Sequence, residues 1–327
     1  MENTTFAYGS EVRGRGDPNQ EDVILGILSF FLAGMGVFLG AVNLYFINHV
    51  KIFHNSFGWF WASRSVGEIM VEAVHTIYNA PVTLMQPGNI SIPVGMIPFF
   101  VMHIGTVSAC IMHTTIAINR CFAIYAPMKY NYVFKKKHCI AFIVVSWLNC
   151  IVISPIFVVI PCNLIGYSPK LYEYAFIRCE SNPDFDASIV GSIVNRFCLL
   201  ICSTALLVDC TTLIRIFYIS KKMMLGTPSE NFKRDVRFFM QSAFQNIIMI
   251  FAAGIAAYVN NRSNLRIKIL NLLEYVTLML THIANPFVFF FSLLTLLQLR
   301  LSLIVFNPEV RRRVCRRAFV DISSSQN

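Results

Sequence analysis

Charged side chains are scarce in this chain: 27 Lys and Arg with 17 Asp and Glu make up 13% of 327 residues. That is about half the share of an ordinary soluble domain, and it excludes a water-soluble globular fold. Catalytic signatures are missing as well. There is no His-Glu-x-x-His, no Gly-x-Ser-x-Gly and no Cys-x-x-Cys pair, and the seven His are scattered, so no enzyme, resident metal or cofactor is expected. A net charge of +10 would suggest nucleic acid in a soluble protein, but no helix-turn-helix, zinc-finger or RNA-binding pattern accompanies it. The first twenty residues have no apolar core of a cleavable signal, so the first apolar run is expected to act as its own uncleaved signal.

Apolar residues, by contrast, reach 56%, with 29 Phe. Runs long enough to cross about 30 Å of hydrocarbon fall at 22–47, 58–80, 95–119, 139–161, 187–218, 236–259 and 267–293. Turn residues separate them, among them Pro81, Pro87-Gly88, Pro93 and Asn182-Pro183. The fold expected is all-α: a seven-transmembrane helix bundle spanning 22–306, preceded by an extracellular segment 1–21 and followed by a basic cytosolic tail 307–327. With the N-terminus outside, seventeen basic residues fall in inner loops and tail, around Lys135–Lys137, Arg215–Arg237 and Arg311–Arg317, against seven in outer segments. Positive residues favour the cytosol, so this orientation is preferred. The sequons at Asn3, Asn89 and Asn261 all fall outside in it, as glycosylation requires. Cys162 and Cys179 both lie in the second outer loop, where an oxidising medium is expected to join them in a disulfide.

Inside the bundle ionisable groups are costly and face the interior or a wet cavity. Arg64, Glu68, Glu72 and His75 form one stripe on the second span, with Arg64 and Glu68 spaced to pair at i,i+4. Thr106, His113 and Arg120 share a face of the third span, and Glu274, Thr281 and Asn285 a face of the seventh. Glu72, His75, His103, Thr106 and Glu274 are the candidates to line a ligand pocket opening outward; the alternative is a structural hydrogen-bond network. Arg196 and Asp209 stand on different faces of the fifth span and receive no role. Cys315, among Arg311–Arg313, Arg316 and Arg317, is a candidate for palmitoylation at the bilayer surface.

Asn119-Arg120-Cys121, followed by Pro127 and Tyr130, resembles the Asp-Arg-Tyr…Pro…Tyr signature of rhodopsin-like G-protein-coupled receptors. The resemblance implies that Arg120 holds the third helix against the sixth when inactive and then helps form the G-protein cleft. Asn119 replaces the usual acid, so protonation of that neighbour is not the trigger. Cys162…Tyr167…Phe176…Cys179, then Asn182-Pro183-Asp184-Phe185, Arg234-Asp235…Phe238-Phe239-Met240-Gln241 and Phe306-Asn307-Pro308-Glu309 resemble nematode serpentine chemoreceptors of class x. That likeness implies a chemosensory receptor in the plasma membrane, in the sensory cilium of a chemosensory neuron, which binds an extracellular small molecule or peptide and activates a heterotrimeric G protein through Asn119, Arg120, Pro127 and Tyr130. The chain departs from mainstream rhodopsin-like receptors in three places. Residues 91–99 hold no Cys, 236–259 hold neither Trp nor Pro, and Asn285-Pro286 is followed by Phe289 rather than Tyr. Residues 287–303 do not fit the class x pattern. A multi-pass transporter or channel is the alternative, but no internal repeat favours it.

Overall fold

The computed structural model describes residues 9–50, 53–155, 164–177 and 189–222, with single positions at 247, 248, 250, 251, 254 and 277. The chain divides into two units, Met1–Pro286 and Phe287–Asn327; the second, like nearly all of the sixth and seventh apolar runs, lies outside the described residues.

Helix α1, Gln20–His49, begins in a capping box. The Asn19 side chain accepts from the Asp22 amide at 2.8 Å, and the Asp22 carboxylate accepts from the Asn19 amide at 2.8 Å, satisfying two of the donors a helix start leaves open. At 1.5 Å per residue the helix is about 45 Å long, enough to cross a bilayer. Its buried stripe is Gly26, Ser29, Ala33, Gly36, Gly40, Asn43 and Ile47, a run of mostly small residues at steps of three and four. The large side chains point the other way, with Phe31 70% exposed. In water that arrangement would be inverted. In lipid it is the expected one, because small residues let helix backbones approach and large apolar ones meet the acyl chains.

Helix α2, Ser56–Val74, is capped by Asn55, whose side chain accepts from the Gly58 amide at 3.0 Å. It continues through a π segment, His75–Asn79, into the short helix α3, Ala80–Met85. Pro81 was expected to break the helix and does not. The Ala80 amide reaches back to the His75 carbonyl, and the wider turn carries the chain past a proline that has no amide to donate. The rod ends instead at Gln86, in the left-handed conformation at φ 48°.

Helix α4, Ile92–Tyr125, starts at Pro93 in its first turn and packs more closely against α2 than against any other described element. The crossing is glycine on glycine: a Cβ on Gly67 would lie 2.6 Å from the Gly105 carbonyl oxygen, and one on Gly105 2.7 Å from the Gly67 oxygen. Helix α5, Pro127–Val133, and helix α6, Lys136–Ile153, follow. A two-stranded antiparallel hairpin, β1 Ile165–Ser168 and β2 Glu173–Phe176, pairs Ile165 with Phe176 and Tyr167 with Tyr174. Helix α7 spans Ile189–Lys222. Among the described residues α1, α4, α6 and the 196–219 portion of α7 are long and apolar enough to cross a membrane. Helix α2 lies among them but carries Arg64, Glu68 and Glu72.

Candidate functional site

At the hairpin end of the bundle, Tyr167 is fully buried against Ala33, Tyr78, Val82 and Tyr174. Its hydroxyl meets the Thr83 hydroxyl at 2.6 Å. The Tyr174 hydroxyl donates to Asn79 Oδ1 at 3.0 Å, and Asn79 Nδ2 sits 2.9 Å from His75 Nδ1. On the α4 side Phe99 stacks on His103 with centroids 5.7 Å apart and packs on Tyr174. The hairpin therefore joins His75, in the π segment that continues α2, to the Phe99–His103 pair of α4. Thr106 follows three residues along α4 and is half-buried. Of the expected pocket residues, Glu72, His75, His103 and Thr106 are thus placed on the two helices that share the Gly67–Gly105 crossing; Glu274 lies outside the described residues.

Glu72 differs from its neighbours. It is 1% exposed, and among the described residues neither carboxylate oxygen has a hydrogen-bond partner. It lies against Gly36 of α1, where a Cβ would come within 2.8 Å of Glu72 Cγ. The Tyr78 hydroxyl is buried and unpartnered too. One turn from Glu72, the pair read at i,i+4 forms, with Arg64 Nε donating to Glu68 Oε1 at 2.8 Å.

A lock above these residues escaped sequence reasoning. Asp22, 0% exposed, accepts from Arg15 Nη1 through both oxygens at 2.8 and 2.7 Å, from Gln86 Nε2 at 2.9 Å, from the Tyr172 hydroxyl, and from its own cap amide. Gln86 Nε2 also reaches the Pro169 carbonyl at 2.9 Å, and Arg15 Nη2 the Lys170 carbonyl at 3.0 Å. One carboxylate ties together the segment before α1, the end of α3 and the hairpin turn. Burial and the hydrogen bond to Asp22 push the Tyr172 phenol up to about 12. Burial alone would lower the Arg15 guanidinium, but its bonds to Tyr172 and Asp22 outweigh that and hold it above its ordinary value. Asn89, in the turn beyond Gln86, is exposed.

At the other end of α4, Asn119 Nδ2 donates to Ser56 Oγ at 3.0 Å, Ser56 Oγ meets the Tyr130 hydroxyl at 2.6 Å, and that hydroxyl donates to Asn119 Oδ1 at 3.3 Å. Pro127 occupies the first turn of α5, where its fixed φ suits a helix start, and so helps aim Tyr130 back at α4. Arg120 was expected at the helix end. It sits instead more than a turn inside α4 and is buried. Among the described residues none of its three guanidinium nitrogens has a hydrogen-bond partner. Its charge rests over the Phe57 ring at 5.5 Å and is attracted by Asp209 of α7. Asp209, given no role from sequence, thus supplies a carboxylate across the bundle where Asn119 supplies none beside it. Helix α7 is also held to α4 by Tyr125, whose hydroxyl donates to the Thr211 carbonyl at 3.0 Å.

Cys162, Cys179, Asn3, Asn261 and Cys315 lie outside the described residues. Among those described no group of His, Cys, Asp and Glu suits a metal ion.

Apolar helices with small residues turned inward, charges between them and a hairpin folded onto one end define a polytopic membrane protein. The chain belongs to the serpentine type 7TM GPCR chemoreceptor Srx family, whose model matches residues 30–292. That family is one of chemosensory receptors, not of enzymes, and its members span the membrane repeatedly. No curated protein matches the chain.

Proposed function

We propose that this receptor sits in the plasma membrane with its hairpin end outside, takes an extracellular small molecule or peptide between α2 and α4 beneath the hairpin, and activates a heterotrimeric G protein at the Arg120 end. The observation that carries the proposal is Arg120 itself. A buried guanidinium with no hydrogen-bond partner is costly to hold, and it is held one residue from the Ser56–Asn119–Tyr130 knot that fixes the local backbone. Such a group has five donors to offer to a new acceptor. A ligand that favours a bundle in which those donors are used shifts the population towards it. Asn119, Pro127 and Tyr130 position the segment, and Arg120 makes the exchange of partners. Asn89, exposed at the hairpin end, is then open to glycosylation.

The test is nucleotide exchange on a co-expressed Gα at matched surface expression. Arg120→Lys keeps the charge but loses the planar fork, and is expected to retain only a minor part of the wild-type exchange; Arg120→Ala is expected to retain less. Full exchange in both variants would remove Arg120 from coupling. A tag after Arg317 that stains on intact cells would reverse the orientation.

A further inference from the structure

Among the described residues Glu72 has no hydrogen-bonded partner for its charge. Of the bases described, Arg64 bonds Glu68 and Arg15 bonds Asp22, and His113, whose ring nitrogens are also unpartnered, lies beside Arg64 and Arg120. Arg120 lies at the far end of α4, over Phe57 and within the pull of Asp209. His75 is bonded to Asn79. An isolated carboxylate inside a membrane is strongly disfavoured. A protonated one still needs an acceptor for its hydrogen, and neither Glu72 oxygen has a partner of either kind.

The surroundings say what would satisfy it. On α1 the missing side chain of Gly36 brings bare backbone against Glu72. One turn of α1 towards the hairpin, Ala33 packs with Tyr167, Tyr78 and Tyr174, and Tyr174 continues to Phe99. Aromatic faces carry a negative quadrupole that attracts cations. The Tyr78 hydroxyl, buried without a partner, adds a dipole in the same region. A carboxylate with open lone pairs below a cluster of tyrosine rings repels an anionic ligand and complements an ammonium group, whose N–H donors fit the carboxylate and whose body fits the rings. Resting on the ligand chamber proposed above and extending it to the α1 side of α2, we infer that this receptor recognises an organic ammonium ion, with Glu72 as its counter-charge and the Tyr78–Tyr167–Tyr174 cluster around its apolar part.

The experiment uses purified full-length receptor in lipid nanodiscs. The probes are a series of ammonium ions from methylammonium to phenethylammonium and tetramethylammonium, beside the uncharged 2-phenylethanol and the anion phenylacetate. Reaction of Glu72 with a hydrophobic carbodiimide is followed by peptide mass spectrometry, and thermal unfolding is followed in parallel. At ten times its dissociation constant an ammonium probe is expected to slow Glu72 labelling about tenfold and to raise the melting temperature. The alcohol and the anion are expected to do neither. Glu72→Gln, which keeps size and hydrogen-bonding capacity, is expected to fold and to lose the thermal shift. Equal protection by 2-phenylethanol, a full shift in Glu72→Gln, or no response to any member of the ammonium series would overturn the inference. Those outcomes leave the coupling proposal standing, since that one falls only to the Arg120 exchange measurements.

Discussion

Asp22 and Arg120 are both buried charges, one at each end of the described bundle, and they are treated in opposite ways. Asp22 receives five hydrogen bonds from four residues drawn from three parts of the chain. Arg120, with more donors to place, makes none. A charge satisfied from every side stiffens what it joins, because removing any partner strands the rest. A charge left open adds little to the resting fold and much to whatever state satisfies it. The hairpin end is therefore built to stay as it is, and in the coupling proposed above the Arg120 end is the part that changes.

The largest expected effect is at the satisfied charge. Asp22→Asn removes the acceptor for Arg15 and leaves a buried cluster of donors facing a donor. The guanidinium left behind is 31% exposed, so the cost is that of the lost charge-assisted hydrogen bonds, about 1.5–3 kcal/mol, and the variant is expected to melt below wild type and to reach the surface poorly. Wild-type melting would mean that the hairpin is held by its tyrosine packing instead. Next comes the helix crossing that both ends share. Gly67→Ala places a methyl group 2.6 Å from the Gly105 oxygen, a backbone atom that cannot swing aside, and overpacking of this kind costs about 1–3 kcal/mol. Unchanged stability would show that α2 and α4 separate freely there.

A smaller effect concerns pH. The Tyr172 phenol is raised to about 12 from an ordinary value of 10. An unfolded chain therefore loses this proton before the folded one does. The Tyr172 contribution is fully present below pH 10 and falls as pH rises towards 12. Tyr172→Phe is expected to lose about 1 kcal/mol at neutral pH through the missing hydrogen bond, and to melt with a flatter pH dependence across that window. A pH profile identical to wild type would detach Tyr172 from Asp22.

How much of this was legible in the sequence follows the range of the interactions. The Arg64–Glu68 pair could be read because helical spacing alone brings i and i+4 together. The spans of α1, α4 and α6 could be read because length and apolarity suffice. Asp22 could not, since Gln86 and Tyr172 are 64 and 150 residues away and only the folded chain collects them. The nearest signal was Asn19 three residues before Asp22, which announces a helix start and not a latch. Asp209 was judged against Arg196 on its own helix, whereas its partner stands on α4. Pro81 was read as a stop because propensity carries no information about a π segment immediately before it. The hairpin was not read: Tyr167 and Phe176 entered only as residues of a loop in a family pattern, because four-residue strands have little periodicity of their own.

The contrast between the two charges is tested most directly by measuring two quantities on the same two variants: melting temperature, and Gα nucleotide exchange per folded receptor. Asp22→Asn is expected to melt early while the molecules that remain folded still support exchange. Arg120→Ala is expected to melt closer to wild type than Asp22→Asn, because it removes no hydrogen bond although it leaves Asp209 without its cation, and to lose exchange. Arg120→Ala melting as early as Asp22→Asn, with normal exchange per folded molecule, would make Arg120 a structural charge like its counterpart and contradict the account.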